Sequence, residues 1–427
     1  MLAKIKNLSQ SKFVRSVILV ATGTAGAQAL TMAFAPIITR MYGPEAFGLL
    51  GTFMATLGIV TPISALAYPI AIVLPKSDDD AKGLAKLSFR IALFMALALS
   101  VILLFASKQI AALLGMQAIA AFMLLIPLAM FFSALQQIMQ QWLIRKKQFK
   151  VTARIAVSQS LILNSSKVGI GWFWPVGSVL IILATLGNAL YAVQLWFGAK
   201  KWADKDGRID KPAESKVDLK ALAYKHRDFP YYRAPQVFIN ALSQSLPVLM
   251  LASFFGPASA GFYAIGRTVL GIPSTLIGQA VADVFYPKIA EAANRNENLY
   301  RPILKATLAL AGVGIVPYGV VFLFGPSLFS FVFGEEWRVA GEYARWLSAW
   351  SYFGFMNRPS IAALAVLNMQ RFFLVYEVVS LILRAASLYI GFAVLNNDLQ
   401  AVILFSISGV ILNFALIFLT LLKGKAK

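Results

Sequence analysis

Of the 427 residues, 59% are apolar and only 13% are charged, about half the charged share of a soluble globular domain, which excludes a water-soluble fold. A net charge of +21 would point to nucleic acid in a soluble chain; here nucleic acid is not an expected partner, and the charge asks instead on which side of a membrane the basic residues fall. The lack of cysteine excludes disulfides and thiolate metal sites.

A basic tail (Lys4, Lys6, Lys12, Arg15) leads into an apolar run from Phe13 to Thr39, too long for the apolar region of a signal peptide, which predicts a retained first span. Each crossing needs roughly 20 apolar residues because backbone groups find no water in hydrocarbon. By that measure further spans fall near 47–74, 87–107, 118–144, 152–172 and 175–198. After a polar stretch, six more fall near 234–255, 261–286, 303–325, 343–367, 372–395 and 399–422. The expected fold is an all-α polytopic membrane protein of about 12 transmembrane helices in two six-helix lobes, 1–198 and 234–427. The segment 199–233 between them carries ten basic and six acidic residues and reads as a basic cytoplasmic connector.

With both termini cytoplasmic, 31 of the 39 Lys and Arg fall on the cytoplasmic side and only Arg40, Lys108, Arg338 and Arg345 fall outside, so the positive-inside rule sets the orientation in an inner membrane. The two halves share a pattern. Gly43-Pro44-Glu45-Ala46-Phe47-Gly48 parallels Gly256-Pro257-Ala258-Ser259-Ala260-Gly261, and Leu57-Gly58-Ile59 returns as Leu270-Gly271-Ile272 at the same offset of 213 residues. Tyr68-Pro69 returns as Tyr286-Pro287. Six spans per half make the repeat parallel, about an axis along the membrane normal, an arrangement that transporters use for alternating access.

No phosphate-binding GxxxxGK[ST], no HExxH and no metal cluster occurs, and the single histidine, His226, lies in the connector; no cofactor is expected. Gly312-Val313-Gly314 reads as helix packing rather than a dinucleotide site. External loops are predicted to be short, the largest being 326–342, which leaves little room for a polymerase or ligase centre. Trp172-Phe173-Trp174, Trp337, Trp346 and Trp350 are expected in an interfacial aromatic belt.

Charges inside spans carry the function, because a charge in hydrocarbon costs a few kcal/mol or more unless it faces a wet cavity or a partner. Arg384 lies about 12 residues, roughly 18 Å, into its span, near the midplane. Lys167 and Arg267 lie nearer the outer face, and Arg358 precedes Pro359, where a kink frees backbone carbonyls. Four cations with few acids around them fit an anionic ligand, and the planar fork of arginine suits diphosphate. Glu377, seven residues before Arg384, is a partner for it or a proton-coupling carboxylate, and Asp283 is the second coupling candidate.

From Asp228 the chain reads Asp-Phe-Pro-Tyr-Tyr-Arg-Ala-Pro-Gln, then Asn240 to Gln244, Phe254 to Gly261, Tyr263, Arg267, Pro273 and Val284-Phe285-Tyr286-Pro287. This resembles the start of the second half in Wzx-type oligosaccharide flippases, of the polysaccharide transporter family in the multidrug/oligosaccharidyl-lipid/polysaccharide (MOP) superfamily. Phe333-Gly334-Glu335-Glu336-Trp337 resembles the same family's FGxxW turn. The resemblance implies a V-shaped two-lobed fold with a cationic cavity and translocation of undecaprenyl-diphosphate-linked repeat units for O-antigen, capsule or exopolysaccharide assembly. It implies no covalent chemistry by this chain, energy from an ion gradient or from product consumption, and lipid-linked oligosaccharide, membrane lipids and polysaccharide assembly proteins as partners. It places Arg267 in the motif stretch, while Arg384 and Lys167 match only in being basic in their spans. Three alternatives stand beside it. Lipid II flippases usually have fourteen spans and basic residues in the first two, drug antiporters carry an acidic cation site in the first half, and a glycan polymerase or ligase would need a large external loop.

Overall fold

The computed structural model describes residues 12–113, 117–205, 218–275, 285, 289, 291–292, 295, 297–367 and 369–425. Among these the chain is helical throughout, with no strand. The long helices are α1 (Lys12–Ser64), α2 (Asp78–Leu113), α3 (Leu125–Arg145), α4 (Phe149–Gly171) and α5 (Gly177–Lys205). They continue as α7 (Ala234–Phe255), α8 (Pro257–Pro273), α9 (Tyr300–Phe333), α10 (Arg338–Met356), α11 (Arg358–Val366), α12 (Gln370–Ala393) and α13 (Asp398–Lys425); a short α6 (Leu219–Lys225) precedes α7.

Seven helices among the described residues are long and apolar enough to cross a membrane. This number counts α1 once, although Gly43 breaks it with φ 68° and ψ 173° between two predicted spans. The remaining predicted spans form helices that are shorter or more polar, such as α8 with 17 residues and α4 with Ser160, Asn164 and Lys167 along one side. Helices covered by protein do not need the apolar coat that lipid demands.

The chain divides into two compact units, one comprising Met1–Tyr42 and Leu49–Ser245, the other Gly43–Gly48 and Leu246–Lys427. In the first, Phe53, Leu57, Leu103, Met123, Met130 and Ile181 form one core. Tyr68, Ile72, Leu84, Ile138 and Leu222 form a second, into which α6 docks its one buried side chain, Leu222. Two differences from the predicted spans have local causes. The second span was expected to reach residue 74, but its helix ends at Ser64, because Leu66 and Ala67 take left-handed backbone angles before a single turn at Tyr68–Ala71. The loop that follows is held by Arg145, whose guanidinium donates to Pro75 O at 2.6 Å, Ser77 O at 3.0 Å and the Asp78 carboxylate at 3.0 Å. Lys146 pairs with the same carboxylate.

In the second unit α9 packs on α10, α10 on α8 and α13, and α12 on α13. The expected external loop 326–342 is replaced by four residues, since α9 runs on to Phe333 through Pro317 and Pro326 and α10 begins at Arg338. The FGEEW stretch is that turn, with Gly334 at φ 114° and a short 3-10 turn at Glu335–Trp337. A proline inside a helix frees the carbonyl four residues back. For Pro326 that carbonyl belongs to Phe322, and Arg345 Nε donates to it at 3.1 Å.

The repeated GPxxxG segments meet inside this unit. In each, the first glycine has positive φ (68° at Gly43, 93° at Gly256) and the proline opens a helix turn. In each, the last glycine is pressed on the other copy. A Cβ on Gly48 would lie 1.7 Å from Pro257 O, and one on Gly261 would lie 2.2 Å from Pro44 O. The contact is reciprocal, as expected of two copies related by a local two-fold axis.

Candidate functional site

The cations singled out in the sequence fall into three places. Arg384, the fifteenth residue of α12, places its guanidinium 5.6 Å from the centroid of the Trp350 ring on α10, within cation–π range. Trp350 packs edge-on against Phe405 of α13 at 5.1 Å, and Phe405 packs edge-on against Tyr263 of α8 at 6.1 Å. Tyr263 is fully buried, and the charges of both Arg267 and Arg384 act on its hydroxyl. One helical turn separates Tyr263 from Arg267 on α8. Two arginines far apart in sequence thus converge on one aromatic frame built from α8, α10, α12 and α13.

Glu377 lies two turns before Arg384 on α12, is half-buried and interacts electrostatically with it. Tyr376 and Ser380 lie on the same stretch of helix, and the charge of Arg384 acts on Tyr376 as well.

Arg358 lies elsewhere. It opens α11 just after the break at Asn357, as the following Pro359 led us to expect, and its Nη2 donates to Ser274 Oγ at 2.9 Å. Its charge acts on Tyr318 of α9, whose hydroxyl donates to Leu270 O. Lys167 belongs to the first unit. On α4 it continues a stripe with Ser160 and Asn164 that faces α1, where Ser160 Oγ donates to Ala27 O at 2.8 Å and Tyr42 Oη donates to Lys167 O at 2.8 Å. Asp283 lies outside the described residues.

One tryptophan expected in an interfacial belt, Trp337, is interior, and a second, Trp350, is partly buried. Trp337 is completely buried between Phe47 and Phe262, and Trp350 carries Arg384 while filling the space left by Gly409, where a Cβ would lie 2.3 Å from its ring. Burial of a ring this large outweighs its interfacial preference once small residues open room beside it. Trp172, Phe173 and Trp174 remain more than two-thirds exposed. Sequence reasoning missed Tyr263, Trp350 and Phe405 as neighbours of the arginines; only the i, i+4 spacing of Tyr263 and Arg267 was a usable signal.

A family model described as "Polysaccharide biosynthesis protein" matches residues 37–342. The chain belongs to this family of polysaccharide biosynthesis proteins. It is 22% identical over 327 residues to the succinoglycan biosynthesis transport protein ExoT of Rhizobium meliloti (strain 1021), covering 75% of this chain and 61% of that protein. It is 20% identical over 205 residues to the amylovoran biosynthesis protein AmsL of Erwinia amylovora, covering 48% of this chain and 50% of that one. The chain thus spans about half to three-fifths of these relatives. Among solved structures it resembles lipid II flippase MurJ in an inward closed conformation, with a TM-score of 0.73 at 14% identity, covering 96% of this chain and 90% of that one. It also resembles a multidrug resistance MATE family transporter of the MOP superfamily in its inward-facing conformation, with a TM-score of 0.70 at 15% identity over 93% and 95% of the two chains. The polysaccharide biosynthesis family and the MOP fold are those expected from the motifs.

Proposed function

We propose that this family member is a flippase that translocates undecaprenyl-diphosphate-linked oligosaccharide repeat units across the bacterial inner membrane by alternating access, for O-antigen, capsule or exopolysaccharide assembly. The observation that carries the reading is the convergence of Arg267 and Arg384 on the Tyr263–Phe405–Trp350 frame. Two guanidinium groups on apolar helices stay charged, and a diphosphate is the ligand class whose charge and geometry repay them. In this reading Arg384, Arg267, Lys167 and Arg358 attract the anionic substrate and no covalent bond changes hands. Glu377 and Asp283 are the coupling candidates for an ion gradient, the termini are cytoplasmic, and polysaccharide assembly proteins act on the product. The 20–22% identity to proteins named for succinoglycan transport and amylovoran biosynthesis supports the substrate class.

The test is glycan analysis in a deletion strain with and without the restored gene. Lipid-linked intermediates trapped on the cytoplasmic side, with surface polymer missing, are the expected result. Normal surface glycan with altered sensitivity to toxic cations would replace the reading with drug antiport.

A further inference from the structure

α6 and the entry to α7 carry a surface that the arginine frame does not use. α6 is docked from behind: Leu222 joins the core of Ile72, Ala81 and Leu84, and Tyr68 Oη donates to Ala223 O at 3.1 Å. What it turns outward is basic and aromatic. Lys220, Lys225, Arg227 and Arg233 are exposed, and Tyr224, Tyr231 and Tyr232 are each more than two-thirds exposed. The Arg227 guanidinium stands 4.4 Å from the centroid of the Tyr224 ring, within cation–π range. Between Leu219 and Arg233 the sequence sets these four cations against a single acid, Asp228. Asp218, just before, is used as the cap of α6, accepting from Lys220 N at 2.8 Å.

Two helices set the depth of this surface. Along one stripe of α2 the exposed residues change from Lys86 and Arg90 to Leu93, Phe94, Leu97 and Val101, so hydrocarbon begins just past Arg90. Leu84, which shares a core with Leu222, stands six residues, roughly 9 Å, short of Arg90. The apolar stretch Phe229–Phe255, which contains α7, has 27 residues and a length of roughly 40 Å, against hydrocarbon roughly 30 Å thick. Its first residues therefore stand outside hydrocarbon as well. Both measures put the exposed side of 219–233 level with the headgroups, where tyrosine rings and long basic side chains find an apolar and a charged surrounding together.

We propose that Leu219–Arg233 is a binding surface for the headgroups of anionic phospholipids, which hold α6 and the entry to α7 against one leaflet. Position makes lipid the neighbour, and the excess of cations over the single acid selects anionic over zwitterionic headgroups. The inference does not depend on the flippase reading, since no transported substrate enters it.

The test uses the full-length protein in nanodiscs of phosphatidylethanolamine mixed with either phosphatidylglycerol or phosphatidylcholine, and compares amide exchange at one pH by peptide mass spectrometry. Exchange across 219–233 is expected to be about tenfold slower with phosphatidylglycerol, and to lose that protection as salt is raised. Lys225→Gln and Arg227→Gln leave the Leu222 and Tyr68 contacts in place. Each should shrink the difference between the two lipids about threefold, and the pair should remove most of it without speeding exchange in phosphatidylcholine. Equal exchange of the unaltered protein in the two membranes would overturn the proposal. Slowing by phosphatidylglycerol that survives in the double variant, or that falls on other helix ends and spares 219–233, would overturn the assignment to this surface.

Discussion

Arg384 lies against the Trp350 ring, and it shares Tyr263 with Arg267. If its charge draws the substrate, Arg384→Ala should abolish surface glycan at unchanged protein level, while Arg384→Lys, which keeps charge but loses the planar fork, should retain part of it. Quantified surface polymer alongside an immunoblot of the membrane fraction decides this, and full export by the alanine variant would remove Arg384 from the mechanism. His226 is a different kind of residue. It ends the docked helix α6, and burial, with Lys225 beside it, lowers its pKa below the ordinary value while the Asp80 charge opposes the shift. The folded state thus prefers the neutral ring, so its contribution is whole above the unfolded pKa of about 6.5 and is lost as pH falls through the folded value. Amide exchange in 219–226, corrected for the intrinsic rate, should speed up on going from about pH 7.5 to about pH 5.5, and His226→Asn should flatten that dependence.

The helix crossings are set by glycines whose contacts override propensity. Alanine at an ordinary helical glycine stabilises by up to about 1 kcal/mol, but at Gly48 the new Cβ would sit 1.7 Å from Pro257 O and at Gly261 2.2 Å from Pro44 O. Backbone cannot yield as a flexible side chain does. Gly48→Ala and Gly261→Ala should each cost about 1–3 kcal/mol or more, seen as a lower melting temperature of the detergent-solubilised protein, whereas Gly319→Ala, facing open space, should not lower it. The loop before α2 depends on a single side chain. Arg145, about one-tenth exposed, satisfies the carbonyls of Pro75 and Ser77 and pairs with Asp78, so Arg145→Ala removes the hydrogen bonds that hold this loop, at about 1 kcal/mol each. Faster proteolysis of 72–78 in Arg145→Ala, only partly restored by lysine, is the expected outcome. Neither the Gly48/Pro257 crossing nor the Arg145 clamp was visible in sequence. Contacts between residues 70 to 210 positions apart leave no periodic trace, although the GPxxxG repeat marked where one of them would form.

At the scale of the whole chain, composition and hydrophobic period decided most. Apolar runs interrupted by charge placed α4, α7, α12 and α13 to within a few residues, because backbone in hydrocarbon must satisfy itself internally, whereas α2 and α9 run well past their predicted ends. If the chain exports a lipid-linked glycan and not drugs, a strain lacking it should keep wild-type sensitivity to cationic dyes while losing surface polymer, as dye inhibition tests beside glycan gels would record. The sequence by itself determined the membrane class, the all-α order of helices, the GPxxxG repeat, the charged positions worth weighing and the family, since each of these follows from local composition or short motifs. Tertiary structure alone decided that Trp337 is interior, that Trp350 packs against Phe405 under Arg384, and that α9 continues through two prolines to leave only a short turn. It alone joined Arg267 and Arg384 around Tyr263 and set Arg358 apart beside Tyr318. Those outcomes depend on which faces meet and where small residues let helices approach, and neither is encoded in the order of residues along any one helix.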